Sequence, residues 1–104
     1  MALRYHRVCS ASDVQPGRCR LITVDEEEIA LWRLEDGRFR AIRNVCPHQH
    51  TARLHEGELN GDRLSCPMHG WTFDLSDGTE IDGRGKARVY PVKVEDDDLS
   101  LGMP

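Results

Sequence analysis

The sequence predicts an all-β fold of antiparallel strands, and three observations carry that reading. Short segments with a hydrophobic period of two recur along the chain, turn chemistry separates them, and no stretch of ten or more residues shows a convincing 3.6-residue period. The first strand is expected at residues 3–8 (LRYHRV), with at most one short helical turn following at 10–14. Pro16-Gly17 closes off that strand and its polar sequel. RLITV at 20–24 and IALWRL at 29–34 alternate in the manner of half-buried strands, with Trp32 most simply a core residue. Glu35-Asp36-Gly37 supplies the positive φ of a tight hairpin leading into FRAIR at 39–43. Residues 64–66 and 89–94 (VYPVKV) complete the set, and Asn60-Gly61 and Asp77-Gly78 mark two further tight turns. The acidic runs at 25–28 and 95–98 lie at strand ends and read as solvated turns.

At 104 residues the chain is expected to be one domain, large enough for a modest apolar core, so any active site must share that core. No apolar run approaches the ~20 residues of a membrane span. The opening MALRYHRVCSASD also lacks the apolar core of a signal peptide, which makes the cytoplasm the expected location. Net charge is −4 and the arginines are scattered among acids, which argues against a nucleic-acid footprint and suits docking on other proteins. In a reducing compartment the four cysteines, Cys9, Cys19, Cys46 and Cys66, point to metal ligation before disulfides. Cys9 and Cys19 sit in strand-like surroundings and read as small buried apolar residues.

Composition changes between Asn44 and Asp74, where Cys, His, Pro and Gly concentrate. The expected organisation is a β scaffold at 1–43 and 75–104 interrupted by a segment at 44–74: two loops carried on a hairpin whose turn includes Asn60-Gly61. The loops read NVCPHQH and SCPMHGW, which together give the pattern C-x-H-x17-C-x2-H from Cys46, His48, Cys66 and His69. Two thiolates and two imidazoles suit either zinc or an iron–sulfur centre, because both accept sulfur and nitrogen donors in tetrahedral arrangement. The prolines after Cys46 and Cys66 and Gly70 after His69 make the loops stiff, and the other loop residues offer backbone N–H donors, wrapping that zinc does not require. His50 has three readings: a ligand in place of His48, a neighbour tuning the centre, or an exposed polar residue. His6 and His55 read as ordinary surface or half-buried residues.

On these residues the sequence resembles the Rieske [2Fe–2S] family. CPHQH is similar to the first ligand box of that family and CPMHGW to the second, and the later FDLSDGT and VYPVKVEDDDLSL continue the likeness over essentially the whole chain. The resemblance implies a Rieske-like antiparallel β sandwich with a small cluster-binding subdomain of two loops at 44–74. It also implies one [2Fe–2S] cluster per chain, with Cys46 and Cys66 on one iron and His48 and His69 on the other. Two thiolates and two neutral imidazoles leave the oxidised centre near zero formal charge, against about −2 with four thiolates, so adding an electron costs less.

High-potential members carry an extra cysteine in each loop, where this chain resembles Thr51 and Met68, and a serine and a tyrosine where it has Trp71 and Phe73. The implied potential is therefore near the negative end of the Rieske range of roughly −150 to +300 mV. Trp71 has two readings, packing that shields the cluster or a place on an electron path, with packing the first. The region from Cys46 to Gly57 is one residue longer than in many ferredoxins. The segment 82–86, comparable to a covering proline loop, has no proline, so either the cluster is more open or Arg84 and Lys86 serve partner docking.

The implied function is that of a soluble one-electron carrier, monomeric, taking electrons from a flavin-dependent ferredoxin reductase and passing them to a terminal oxygenase such as an aromatic-ring-hydroxylating dioxygenase. No residue is expected to be catalytic, since the chain has no second 2-His-1-carboxylate set for a mononuclear iron. The alternatives are the small subunit of an assimilatory nitrite reductase, a zinc-stapled β interaction module and a cluster-free β scaffold.

Overall fold

The structure, a computed structural model, describes residues 3–47, 51–67 and 70–104. Its scaffold is two antiparallel sheets facing each other. In the first, β1 (Arg4–Ser10) pairs with β12 (Asp98–Met103), which pairs with β11 (Val92–Glu95). In the second the order is β10 (Val89–Tyr90), β4 (Phe39–Arg43), β3 (Glu27–Arg33), β2 (Cys19–Val24). Between them lies a core of Cys9, Val14, Ile22, Ile29, Leu31, Ala41, Tyr90, Leu99, Leu101 and Met103.

The central strand β3 explains how a second core forms. Its odd positions Ile29 and Leu31 face the sandwich, while Ala30 and Trp32 on the opposite face join a cluster with Leu54, Leu64, Phe73, Leu75, Cys46 and Cys66. Ile29, Ala30 and Leu31 are all fully buried. Each fully buried aliphatic side chain here contributes about 1.5–3 kcal/mol. Covering that opposite face are a two-stranded sheet of β5 (Val45–Cys46) with β6 (Thr51–Ala52) and a three-stranded sheet of β7 (Glu58–Asn60), β8 (Arg63–Ser65) and β9 (Thr72–Asp74).

The expected strands at 3–8, 20–24, 29–34, 39–43 and 64–66 appear within two residues at either end, and the helical turn is a short 3-10 helix at Ala11–Asp13. The expected strand at 89–94 is two strands. Pro91 has no N–H to give to a ladder, and at this residue the chain leaves β4 for β12. The expected hairpin around Asn60-Gly61 is β7 with β8, whereas β5, β6, β9 and β12 and a second 3-10 helix at Leu54–Glu56 were not anticipated.

The acidic runs are less idle than a solvated turn. Asp25 and Glu26 both have positive φ, 49° and 66°, as a two-residue hairpin between β2 and β3 demands. Asp97 binds the first 3-10 helix through the backbone N–H and hydroxyl of Ser12, at 3.1 and 2.7 Å. The Asp77-Gly78 turn holds because Gly78, at φ 84°, lies so close to the Ala87 carbonyl that a Cβ would fall 2.0 Å from its oxygen.

Candidate metal centre

Cys46 ends β5, where it pairs with Thr51 of β6, and Cys66 follows β8 directly. Both are buried, 0% and 2% exposed, and both belong to the apolar cluster beneath β3. Neither is in a disulfide. Two soft sulfur donors in one water-poor cluster, with no cross-link consuming them, fit a centre that needs two thiolates. His48, His69, His50 and Met68 lie outside the described residues. Among the described residues no three His, Cys, Asp or Glu side chains converge as a metal site of their own.

Cys9 and Cys19 stand apart from this pair. Cys9 sits in the sandwich core, and burial raises its thiol pKa. Cys19 flanks the other cluster, and burial pushes its thiol up to about 12, which keeps it protonated and inert.

The first loop is held by Asn44, fully buried and overlooked in the sequence reading. Its Nδ2 donates to Glu28 Oε1 and to the Ala52 carbonyl, both at 3.1 Å, and its Oδ1 accepts the backbone N–H of His55 at 2.6 Å. His55 Nδ1 lies 2.9 Å from Asn44 Nδ2 and 3.1 Å from Asn44 Oδ1, so the imidazole sits against the amide group itself. Asn44 also takes a backbone hydrogen bond from Leu54 N–H and gives one to Glu28, so the start and end of the loop are tied to each other and to β3. His55 is thus half-buried, as expected, and structural. A lone asparagine before a Cys-Pro gave no periodic or spacing signal.

The second loop closes on itself. Cys66 N–H donates to the Trp71 carbonyl at 2.7 Å, and Gly70, at φ 71°, makes the sharp return possible. Ser65 and Thr72 join hydroxyls at 2.8 Å across the neck of the loop. Trp71 packs half-buried against the apolar cluster, with the Phe73 ring 6.4 Å away.

Above it lies the segment 80–86, anchored by Glu80, which is 1% exposed. Glu80 Oε1 accepts from the backbone N–H groups of Asp82 and Arg84 at 2.9 and 3.2 Å, and Oε2 from Arg84 Nη2 and Thr72 N–H at 3.0 and 3.3 Å. The hydrogen-bonded Arg84 guanidinium is the chief cause that lowers the Glu80 carboxyl to about 2, with those backbone donors adding to it against the opposing effect of burial. The same guanidinium lies 4.7 Å over the Trp71 ring. Arg84 is therefore committed inside the chain although its side chain stays 43% exposed, and Lys86 is a second exposed cation of the segment. The four-residue spacing of Glu80 and Arg84 was visible in the sequence; the burial of the acid was not.

Three surface cavities lie among the described residues away from the two cysteines. One is bordered by Tyr5, Arg7, Lys93 and Glu95 on the outer sheet, another by Lys86, Ala87 and Arg88, and a third by Glu35, Arg38 and Asp62. None is lined by Cys46 or Cys66.

Comparison with known proteins is consistent along the chain. The model of the Rieske [2Fe–2S] domain matches residues 4–94. The chain is 32% identical over 97 residues to the ferredoxin component of the naphthalene 1,2-dioxygenase system of Pseudomonas putida, covering 91% of each. Among solved structures it is similar to a chain from a complex of reduced oxygenase and oxidised ferredoxin in carbazole 1,9a-dioxygenase, at TM-score 0.82 and 32% identity over 94% of this chain and 92% of that one. It is also similar to a chain assigned as an NADH-dependent nitrite reductase small subunit from Mycobacterium tuberculosis, at TM-score 0.91 and 25% identity over 100% and 98%.

Proposed function

We propose a function from one premise: this chain belongs to the Rieske [2Fe–2S] domain family, and family membership implies one [2Fe–2S] cluster per chain. The reading is that of a one-electron carrier in a multi-component oxidoreductase system, with no catalytic residue of its own. When bound, a [2Fe–2S] centre takes up and gives back a single electron. The chain supplies the rest. Cys46 and Cys66 present thiolates from buried positions, and His48 and His69 complete the ligand set from the same two loops. Asn44 fixes the first loop, and the Cys66–Trp71 hydrogen bond fixes the second. Residues 44–74 act as the cluster-binding subdomain on a scaffold of 1–43 and 75–104.

The donor is a flavin-dependent ferredoxin reductase and the acceptor a terminal oxygenase of the aromatic-ring-hydroxylating type or a relative; the carrier works as a cytoplasmic monomer. The relatives that support this are ferredoxin components of oxygenase systems. Within the molecule, no helix among the described residues is long and apolar enough to cross a membrane. The observation that carries the reading is the pair of buried cysteines, unbridged and brought into one apolar cluster at the ends of β5 and β8.

Anaerobic purification tests it. The protein is expected to be brown-red, to carry about two iron and two acid-labile sulfide per chain, and to give the paramagnetic signal of mixed nitrogen–sulfur ligation after dithionite. Colourless protein containing zinc would overturn it. One observation favours a second reading, the small subunit of a nitrite reductase: the 0.91 TM-score over nearly the full length of both chains. Reduced protein mixed with a ring-hydroxylating oxygenase and with a sirohaem nitrite reductase separates the two, by which one reoxidises it.

A further inference from the structure

We propose that Glu80 and Arg84 form a latch that fixes Trp71 as a cover on the Cys66 side of the centre, making Arg84 a positioning residue that excludes water and keeps the reduction potential low. The proposal rests on the carrier reading above. Most ion pairs among the described residues are exposed on both sides: Arg7–Asp98 shows 56% and 64% side-chain exposure, Lys93–Glu95 55% and 70%. Such pairs hold little. Glu80–Arg84 differs, because the carboxylate is wholly buried and the guanidinium half exposed, at 0% and 43%. Releasing Arg84 would leave a buried charge with only backbone partners, a costly state. The pair is two-pronged as well, with Arg84 Nε on Oε1 at 3.1 Å and Nη2 on Oε2 at 3.0 Å.

What the latch holds is Trp71. Arg84 lies over the indole, and Gly85 stands beside it, where a Cβ would make ordinary van der Waals contact with Trp71 Cζ3 at 3.4 Å. Beneath, the ring packs on the apolar cluster that contains Cys66, and the Trp71 carbonyl accepts the Cys66 N–H. Glu80 also accepts from Thr72 N–H, and Ile81 N–H donates to the Thr72 carbonyl at 2.9 Å, so the residue that follows the cover is pinned through both its N–H and its carbonyl. A covered centre pays more for the negative charge gained on reduction than an open one, so a latched Trp71 lowers the potential.

Glu80→Gln, Arg84→Met and the double variant test this, each purified as the holoprotein. Electrostatics alone moves the midpoint in opposite directions, up on losing the buried negative charge and down on losing the positive one. A latch moves both upward, with the double variant equal to either single one. Tryptic nicking after Lys86 is expected to quicken about tenfold in all three, and Arg84→Lys to restore part of both readouts. Opposite midpoint shifts, additive shifts, or wild-type nicking rates would overturn the latch. If the wild-type protein shows no Rieske signal, the carrier reading falls instead, while the nicking rates still decide the latch.

Discussion

Asn44 Oδ1 accepts the backbone N–H of His55 at 2.6 Å, eleven residues away, and so clasps the whole first loop around Cys46. The clasp has no slack, because the same side chain also satisfies Glu28 and the Ala52 carbonyl in a site shut off from water. Asn44→Ala would leave the His55 N–H and Ala52 carbonyl without this partner, at a cost of about 3 kcal/mol. The expected outcome is a lower urea midpoint with faster loss of iron, read in one titration by fluorescence and visible absorbance.

The four cysteines divide by environment. Cys66→Ser is expected to abolish the colour and the iron while the sandwich core, which Cys66 does not join, still folds, as judged by far-ultraviolet circular dichroism. Cys9→Ala removes a buried sulfur from that core and costs about 1 kcal/mol. Its iron content should match the wild type. Loss of iron on Cys9→Ala would place a ligand where the structure has a packing residue.

How much of this was legible depended on the length of each pattern. The long scaffold strands β2, β3 and β4 are rich in apolar and β-branched residues, contiguous in β3 at 29–32, and were readable to within two residues. The two- and three-residue strands at 45–46, 51–52, 58–60 and 72–74 are too short to show a period, and tertiary pairing alone defines them. β12 is a different case. Leu99, Leu101 and Met103 do alternate, but the preceding acids and the following Gly102 masked the run. At the candidate centre the two cysteines stood out by their flanking prolines and histidines, and the structure shows them buried in one cluster, whereas Asn44 and Glu80 gave no signal. Each is polar, each became buried through partners brought in from elsewhere in the chain, and single-residue chemistry says nothing about that.

Acid should weaken the segment over Trp71 first. The Glu80 carboxyl titrates at about 2 in the folded protein, below its ordinary 4.5, chiefly through the hydrogen-bonded Arg84. Above 4.5 both folded and unfolded chains carry the charge and the stabilisation is complete. As pH falls from there toward 2 the unfolded chain takes up the proton first, and the contribution is progressively lost. Urea midpoints measured across this window should fall more steeply for wild type than for Glu80→Gln, which has no proton to bind. Parallel slopes would mean that Glu80 keeps an ordinary carboxyl.

Tyr90 sets the opposite limit. Burial, aided by its hydrogen bond to Glu27, raises its pKa far above the ordinary 10. The folded protein therefore keeps a neutral phenol where the unfolded chain ionises, and this stabilisation, complete below pH 10, is lost as pH rises beyond it. Tyr90→Phe should cost about 1 kcal/mol at neutral pH and flatten the alkaline limb of the stability curve. An unchanged alkaline limb would assign that loss to other groups.

The midpoint potential follows from what stands beside the ligand loops. Trp71 and Phe73, in the places where high-potential members carry serine and tyrosine, bring rings and no hydroxyls, and Phe73 is fully buried in the apolar cluster. Hydroxyl donors to sulfur would stabilise the extra electron, and dry aromatic packing does the reverse. Voltammetry is therefore expected to find a midpoint in the lower part of the roughly −150 to +300 mV Rieske range. A value above about +100 mV would require a donor from some other part of the chain, and would remove the reason for pairing this carrier with a flavin reductase upstream.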